Sequence, residues 1–163
     1  MNLDRTDLKL LALLQQDASA SNQELAEQAA VSPATSSRRV RQMREAGLIE
    51  RTVAILSPDR VAQELGHGIT ALVEVTLERQ AAEHLQAFEA LVTADPSVQQ
   101  CYRVSPGPDF ILVMACLHME QFHTTSQRLF TQTANVRNVR TFFSVHRSKF
   151  LPALPLPAAA ALT

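Results

Sequence analysis

Residues 32–49 read Ser-Pro-Ala-Thr-Ser-Ser-Arg-Arg-Val-Arg-Gln-Met-Arg-Glu-Ala-Gly-Leu-Ile, and this stretch decides the fold. Ser32 can cap a helix, and Pro33 suits its first position, where a missing N–H costs nothing. Gly47 is the natural stop, because a left-handed residue closes a helix there. Val40 and Met43, with Ser36 one turn earlier and Ala46 one turn later, make a narrow stripe that can dock on other helices. Arg38, Arg39, Arg41 and Arg44 spread around the rest, and Thr35, Ser36 and Ser37 place small hydroxyl side chains near the N-terminal end. A helix so built can enter the major groove, with arginines reaching bases and phosphates. The candidate DNA contacts are therefore Ser32, Thr35, Ser36, Ser37, Arg38, Arg39, Arg41 and Arg44, with Arg39 expected on phosphate. Alone, such a helix would equally be a solvated basic face.

The preceding residues tip the balance. Ser21-Asn22-Gln23-Glu24 is a capping box opening a short helix to about Ala29, with Leu25, Ala26 and Ala29 as its apolar positions. Ala30-Val31 then turns directly into Ser32-Pro33, and two capped helices joined so tightly read as helix-turn-helix. Asp4 can cap a third helix through about Gln16, packed by Leu8, Leu11 and Leu14 with Leu10 and Leu13 flanking. Leu48–Leu56 carries β-branched residues and is expected to supply a wing strand, which completes a winged helix-turn-helix over residues 1–56.

Residues 57–66 read as a partly ordered hinge, because Ser57-Pro58 repeats the Ser-Pro device and opens a short helix to about Leu65. Gly66-His67-Gly68 ends it. From there the period becomes two. Ile69, Ala71, Val73, Val75 and Leu77 share one face of a strand, and Thr70, Leu72, Glu74, Thr76 and Glu78 the other. Ala81, Leu85, Phe88, Leu91 and Val92 follow helical spacing up to Asp95-Pro96. Val98–Val104 alternates as a strand. Phe110–Leu117 is apolar on both faces, as in a central strand. Met119, Phe122, Ser126, Leu129 and Phe130 mark a second helix, and Val139–Val145 a last strand. The order β-α-β, β-α-β predicts a ferredoxin-like domain over residues 67–151, so the fold class is α+β. Residues 152–163, with Pro152, Pro155, Pro157 and an alanine run, are expected to form an extended arm that leaves the domain and frays.

Composition agrees with a globular protein of one or two domains: 163 residues, 46% hydrophobic and 19% charged. The net charge of −1 is unevenly spread, since five arginines lie between Ser32 and Arg51 against only Glu45 and Glu50. No apolar run could span a membrane, and the polar start lacks a signal peptide's core, so a cytoplasmic location is expected. Cys101 and Cys116 suggest neither disulfide framework nor zinc site. His67, His84, His118, His123 and His146 lack metal-ligand spacing, as His118 and His123 are five apart rather than four. The sequence contains no phosphate loop, nucleophile elbow or HExxH, so neither catalytic residue nor cofactor is expected.

The turn Val104-Ser105-Pro106-Gly107-Pro108-Asp109-Phe110 is the most informative part of the second domain. Its prolines fix φ, and Gly107 allows a sharp turn or close approach to a ligand. Asp109 can receive a ligand ammonium, and loop N–H groups a carboxylate. A plain hairpin turn capped by Asp109 is the competing reading.

Leu3-Asp4-Arg5-Thr6-Asp7, Ser21–Ala26, Ser32-Pro33 through Arg39-Val40-Arg41, and Glu45–Ile49 together resemble the Lrp/AsnC family of transcription regulators in order and spacing. The resemblance runs from about Leu3 to Leu156. It implies a winged helix-turn-helix joined to a ferredoxin-like ligand-binding and oligomerisation domain, with dimers that assemble into tetramers or octamers and an amino-acid effector between dimers. The family's effector loop reads Gly-x-x-Asp-Tyr or -Phe. Asp109 and Phe110 match it, while Pro106 replaces the glycine and Gly107 falls one place late. Arg140–Ser144 matches the segment that closes the same pocket. The implied effector set is Ser105, Gly107, Asp109, Phe110, Phe142 and Ser144, with Phe110 and Phe142 walling the side-chain pocket. The leading expectation is a sequence-specific regulator that reads pseudo-palindromic double-stranded DNA and responds to a small amino acid. A low-specificity DNA-wrapping protein and an amino-acid-binding assembly module are the alternatives.

Overall fold

A computed structural model describes residues 2–66, 68–133 and 135–157. His67 and the terminal alanine run lie outside the described residues. Two compact units emerge: the chain up to Ile55 together with Lys149 onward, and Leu56–Ser148.

Among its described residues the first unit holds three helices, each begun by the cap its sequence offers. α1 (Arg5–Gln16) starts on Asp4, whose carboxylate accepts the Thr6 and Asp7 N–H groups while Asp7 returns the bond to the Asp4 N–H. α2 (Asn22–Ala29) starts on the reciprocal Ser21–Glu24 capping box. α3 (Pro33–Glu45) starts on Ser32, with Pro33 in its first turn. Gly47, at φ 72°, follows the end of α3, and the Leu48 N–H returns to the Met43 carbonyl at 2.9 Å. Leu10, Leu25, Ala29, Val40 and Met43 form the core. On α1 Leu8 is buried as expected and Leu10 is fully buried, whereas Leu11 and Leu14 are only partly covered, so the buried stripe is shifted toward Leu10.

The expected wing strand does not form. Arg51–Leu56 is irregular and exposed, and Val53, Ile55 and Leu56 face solvent. β-branched composition favours a strand only where a neighbour supplies ladder hydrogen bonds, and no described segment of this unit does so. The arm does not leave as a loose end. Its described part is extended and belongs to the first unit, where the Leu154 backbone bonds the Gln15 side chain of α1.

The second unit opens with α4 (Pro58–Leu65), capped by Ser57. It continues β1 (Ile69–Leu77), α5 (Ala82–Thr93), β2 (Val98–Arg103), β3 (Phe110–Cys116), α6 (Met119–Ser126), a π-helical turn (Gln127–Thr131) and β4 (Val136–Phe143). The antiparallel sheet has the order β2-β3-β1-β4, the ferredoxin-like arrangement. Alternation decides its faces. Ala71, Val73, Val75 and Leu77 of β1 and Phe110, Leu112, Met114 and Cys116 of β3 are buried together with Phe88, Val92, Phe122, Leu129 and Phe130. The π turn brings the adjacent Leu129 and Phe130 both into this core. Among the described residues of this unit no helix packs on the opposite face. There Leu72 pairs with Phe142, 41% and 46% exposed, and Glu74 pairs with Arg140 in a 3.2 Å ion pair.

Candidate nucleic-acid interface and effector turn

Helical geometry sorts the residues of α3. Ser36, Val40 and Met43 point into the core. Ala34, Ser37, Arg38 and Arg41 stand at i, i+3, i+4 and i+7 and are all exposed, so they form one outward stripe. Gln42 and Arg44 flank it, also exposed. Arg38 rests on Gln42 at 3.1 Å, and Arg41 lies 3.7 Å from Glu45. These are exposed one-turn contacts, weak enough to exchange for DNA. Ala34 was not among the sequence candidates. Helical spacing from Arg41 would have found it, but an alanine carries no chemical signal of its own.

The structure withdraws two of the sequence candidates from this surface. Ser36 is fully buried, so its hydroxyl cannot meet DNA; its Oγ has no hydrogen-bond partner. Arg39 is turned inward. Its Nη1 donates to Asp4 Oδ2 at 2.6 Å and Asp7 Oδ1 at 2.9 Å, tying α3 to the cap of α1. The acids beside it, Asp7 first and then Asp4, push the Arg39 guanidinium further into its charged form. The Asp4 carboxyl is held below the usual range, chiefly by the Asp7 N–H and also by Arg39. Arg39 is therefore a positioning residue rather than a free phosphate contact. Ser32 and Thr35 are engaged with one another at the cap, Oγ to Oγ1 at 2.9 Å. A second brace joins the two helices of the motif, because Asn22 Nδ2 donates to the Pro33 carbonyl at 2.8 Å. Between them Ala30 turns the chain with φ 58°, a left-handed conformation that glycine adopts more cheaply.

The turn after β2 is tight. Ser105-Pro106 is cis, Gly107 sits at φ 126°, and the Val104 N–H meets the Asp109 carbonyl at 3.1 Å. The positive φ accounts for the glycine at 107. Asp109 Oδ2 accepts the Leu77 N–H at 2.7 Å and Gln80 Nε2 at 3.2 Å, so this carboxylate ties the turn to the end of β1. Asp109 is partly buried, and Ser105 and Gly107 are exposed beside it. Phe110 is fully buried, its ring 5.0 Å from that of Phe88. Phe142 lies on the open face, with Arg140 stacked 5.3 Å from its ring. The two phenylalanines thus point to opposite sides of the sheet and cannot wall one pocket within a subunit. The Ser144 N–H extends the β1–β4 ladder to the Thr70 carbonyl at 2.9 Å, and its side chain is exposed.

The remaining polar core is structural. Asp95 accepts the Ser97 N–H and hydroxyl and is paired with Arg128 of the π turn. Burial pushes its carboxyl up, but the hydrogen bonds from Ser97 and Arg128 outweigh this and hold it low. Burial pushes both cysteine thiols up, which disfavours the reactive thiolate. Among the described residues no helix is long and apolar enough to cross a membrane.

A helix-turn-helix with an exposed arginine stripe, followed by a ferredoxin-like sheet, is an architecture suited to a DNA-binding protein with a separate second domain. Residues 3–50 match the winged helix-turn-helix DNA-binding model, and residues 70–154 match the Lrp/AsnC ligand binding domain. The leucine-responsive regulatory protein of Rhizobium meliloti is 34% identical, over 91% of this chain and 93% of its own. An AsnC family transcriptional regulator from Agrobacterium tumefaciens superposes with TM-score 0.82 at 28% identity, over 94% of this chain and 97% of its own. A Neisseria meningitidis transcriptional regulator, crystallised as its L-Met complex, superposes with TM-score 0.80 at 31% identity, over 96% of this chain and 98% of its own. The chain belongs to the Lrp/AsnC family.

Proposed function

We propose that a homodimer of this protein reads pseudo-palindromic double-stranded DNA through α3 and that a small amino acid modulates its assembly or affinity. The observation that carries the DNA reading is the single outward stripe of Ala34, Ser37, Arg38 and Arg41. Arginine pairs with the guanine edge, and an alanine methyl packs on the thymine methyl, so Arg38, Arg41 and Ala34 are assigned to bases. Arg44, Ser32, Thr35 and Ser37 are assigned to backbone phosphates, which position rather than specify. Two such helices related by a two-fold axis read half-sites about one helical turn apart or a multiple of it. The open sheet face, with Leu72 and Phe142 exposed at its centre, supports dimerisation through the second unit. Dimers build tetramers or octamers, in the cytoplasm where the DNA is.

Site selection from random DNA tests the reading. A specific regulator binds its selected site roughly a thousandfold or more tighter than random DNA at physiological salt. A ratio near one would favour the low-specificity wrapping protein instead.

The effector is assigned to the turn of Ser105, Gly107 and Asp109 in one subunit and to Phe142 and Ser144 of a neighbouring subunit, because within one subunit the turn lies at the Leu77 end of β1 and Phe142 and Ser144 at the Thr70 end. The L-Met complex of the Neisseria meningitidis relative supports an amino acid as the ligand class. Phe142 favours an apolar side chain. A thermal-shift screen of the amino acids tests this, since a ligand at a hundredfold excess over its Kd adds about 2.7 kcal/mol.

A further inference from the structure

We infer that the C-terminal arm is a clasp on the DNA-binding unit and that Gln15 is the positioning residue that closes it. The Gln15 side-chain amide makes two bonds to one residue: Nε2 donates to the Leu154 carbonyl at 3.2 Å, and Oε1 accepts the Leu154 N–H at 2.6 Å, across 139 residues of sequence. A primary amide is the side-chain group that offers a donor and an acceptor side by side, so it can mimic the edge of a strand toward an extended backbone. The arm suits that partner. Pro152, Pro155 and Pro157 lack N–H groups, and from 152 to 157 only Ala153, Leu154 and Leu156 can donate. A β-ladder is therefore closed to this segment, and one amide clasp is what remains. Proline also limits the freedom the arm loses on docking.

The clasp sits at one end of a chain of contacts within the first unit. Gln15 is on α1, α1 carries Asp7 and follows Asp4, and both acids hold Arg39 of α3. An arm closed on α1 is thus fastened to the same three-helix body that carries the DNA-reading stripe, without touching the stripe itself. The backbone passes between the two units at Ile55–Leu56 and again at Ser148–Lys149, so the closed clasp makes the second crossing a tether rather than a loose tail. A tether that limits how the two helix-turn-helix units of a dimer are presented raises their effective concentration for the second half-site.

The test uses full-length protein: wild type, Gln15→Met, Leu154→Pro and the double variant. Gln15→Met keeps length and helix propensity but removes both partners, and Leu154→Pro removes the N–H. Hydrogen exchange of the Leu154 amide reads the clasp without DNA. It should be protected in wild type and exchange at the free-chain rate in Gln15→Met. Titration of the selected two-half-site DNA reads its effect. Each single variant should bind roughly threefold to tenfold more weakly, the double variant no more weakly than either single one, and all four should bind an isolated half-site alike. A Leu154 amide unprotected in wild type overturns the clasp. Losses that multiply in the double variant, or an unchanged two-site affinity with the clasp open, overturn its role. Absence of DNA binding by all four proteins would strike the DNA reading and leave the exchange result standing.

Discussion

Replacing Arg39 with alanine separates two roles that an arginine in a recognition helix can play. Its Nη1 is shared between Asp4 at 2.6 Å and Asp7 at 2.9 Å, and the side-chain exposures are 23% for Arg39, 51% for Asp4 and 3% for Asp7. The Asp4 contact is half in water and contributes at most about 1 kcal/mol. The Asp7 contact is a charge-assisted bond to a buried carboxylate, of about 1.5–3 kcal/mol, and its loss leaves that carboxylate short of a partner. Arg39 Nε is buried without a hydrogen-bond partner, so removing the side chain also relieves an unfavourable group. The balance is a destabilisation of about 2–3 kcal/mol in the first unit. Urea denaturation followed by helical circular dichroism should show the midpoint falling at unchanged m. Where the variant is still folded, the slope of log affinity against log salt should match wild type, because no phosphate contact has been removed. A variant of full stability whose salt slope flattens by about one unit would refute the assignment and return Arg39 to the DNA.

Four further outcomes follow from the same contacts. Ala30→Gly should stabilise the helix-turn-helix by about 0.5–1 kcal/mol in urea denaturation, because it removes left-handed strain at an exposed site and gives back only part in unfolded-chain entropy. Val40→Ala should lower stability by about 1–2 kcal/mol through a small cavity, with specificity for the selected site unchanged. The Asp95 carboxyl is depressed in the native state, so its contribution is full above the ordinary carboxylate pKa of about 4 and is lost as pH falls through the lower native value. Acid titration of Asp95→Asn should lack that component of the transition. Asp109→Ala should abolish amino-acid response in DNA titrations, and it should also lower stability by about 1–2 kcal/mol because the Leu77 N–H loses its acceptor.

What could be read from the sequence was local. Asp4, Ser21, Ser32 and Ser57 cap the helices they were expected to cap, since a cap and its N–H groups lie within three residues of each other. Period-two alternation marks the strands of the ferredoxin-like sheet and the inward side of β1, although β4 runs Val136–Phe143 rather than Val139–Val145, and Val145 is fully exposed. The same signal gives no inward side for β3, where Phe110–Leu117 is apolar at every position, so nothing in the sequence weighs against the match of Phe110 to the effector loop, although the residue belongs to the core. Partners far apart in sequence were not legible. Asp4 and Asp7 meet Arg39 across 35 and 32 residues, Leu77 meets Asp109 across 32, and Gln15 meets Leu154 across 139. Each joins a residue whose chemistry suggested a ligand, or nothing, to a partner that only the fold supplies. The missing wing strand has the same origin: composition marked Leu48–Leu56 as able to pair but could not supply a neighbour.

In the proposed mode of binding, the outward stripe of α3 meets base edges while Arg39 holds the helix from behind. Arg41→Ala tests it most directly, in a titration against the selected site, against that site with each guanine in turn replaced, and against random DNA. Stability should stay within about 0.5 kcal/mol of wild type, as Arg41 is exposed and its Glu45 contact is weak. Affinity for the selected site should fall by about 1–3 kcal/mol, and discrimination should relax at one guanine position in each half-site while the others are read as before. An equal loss on every sequence, with all guanine preferences intact, would place Arg41 on phosphate and contradict the assignment of this stripe to base reading.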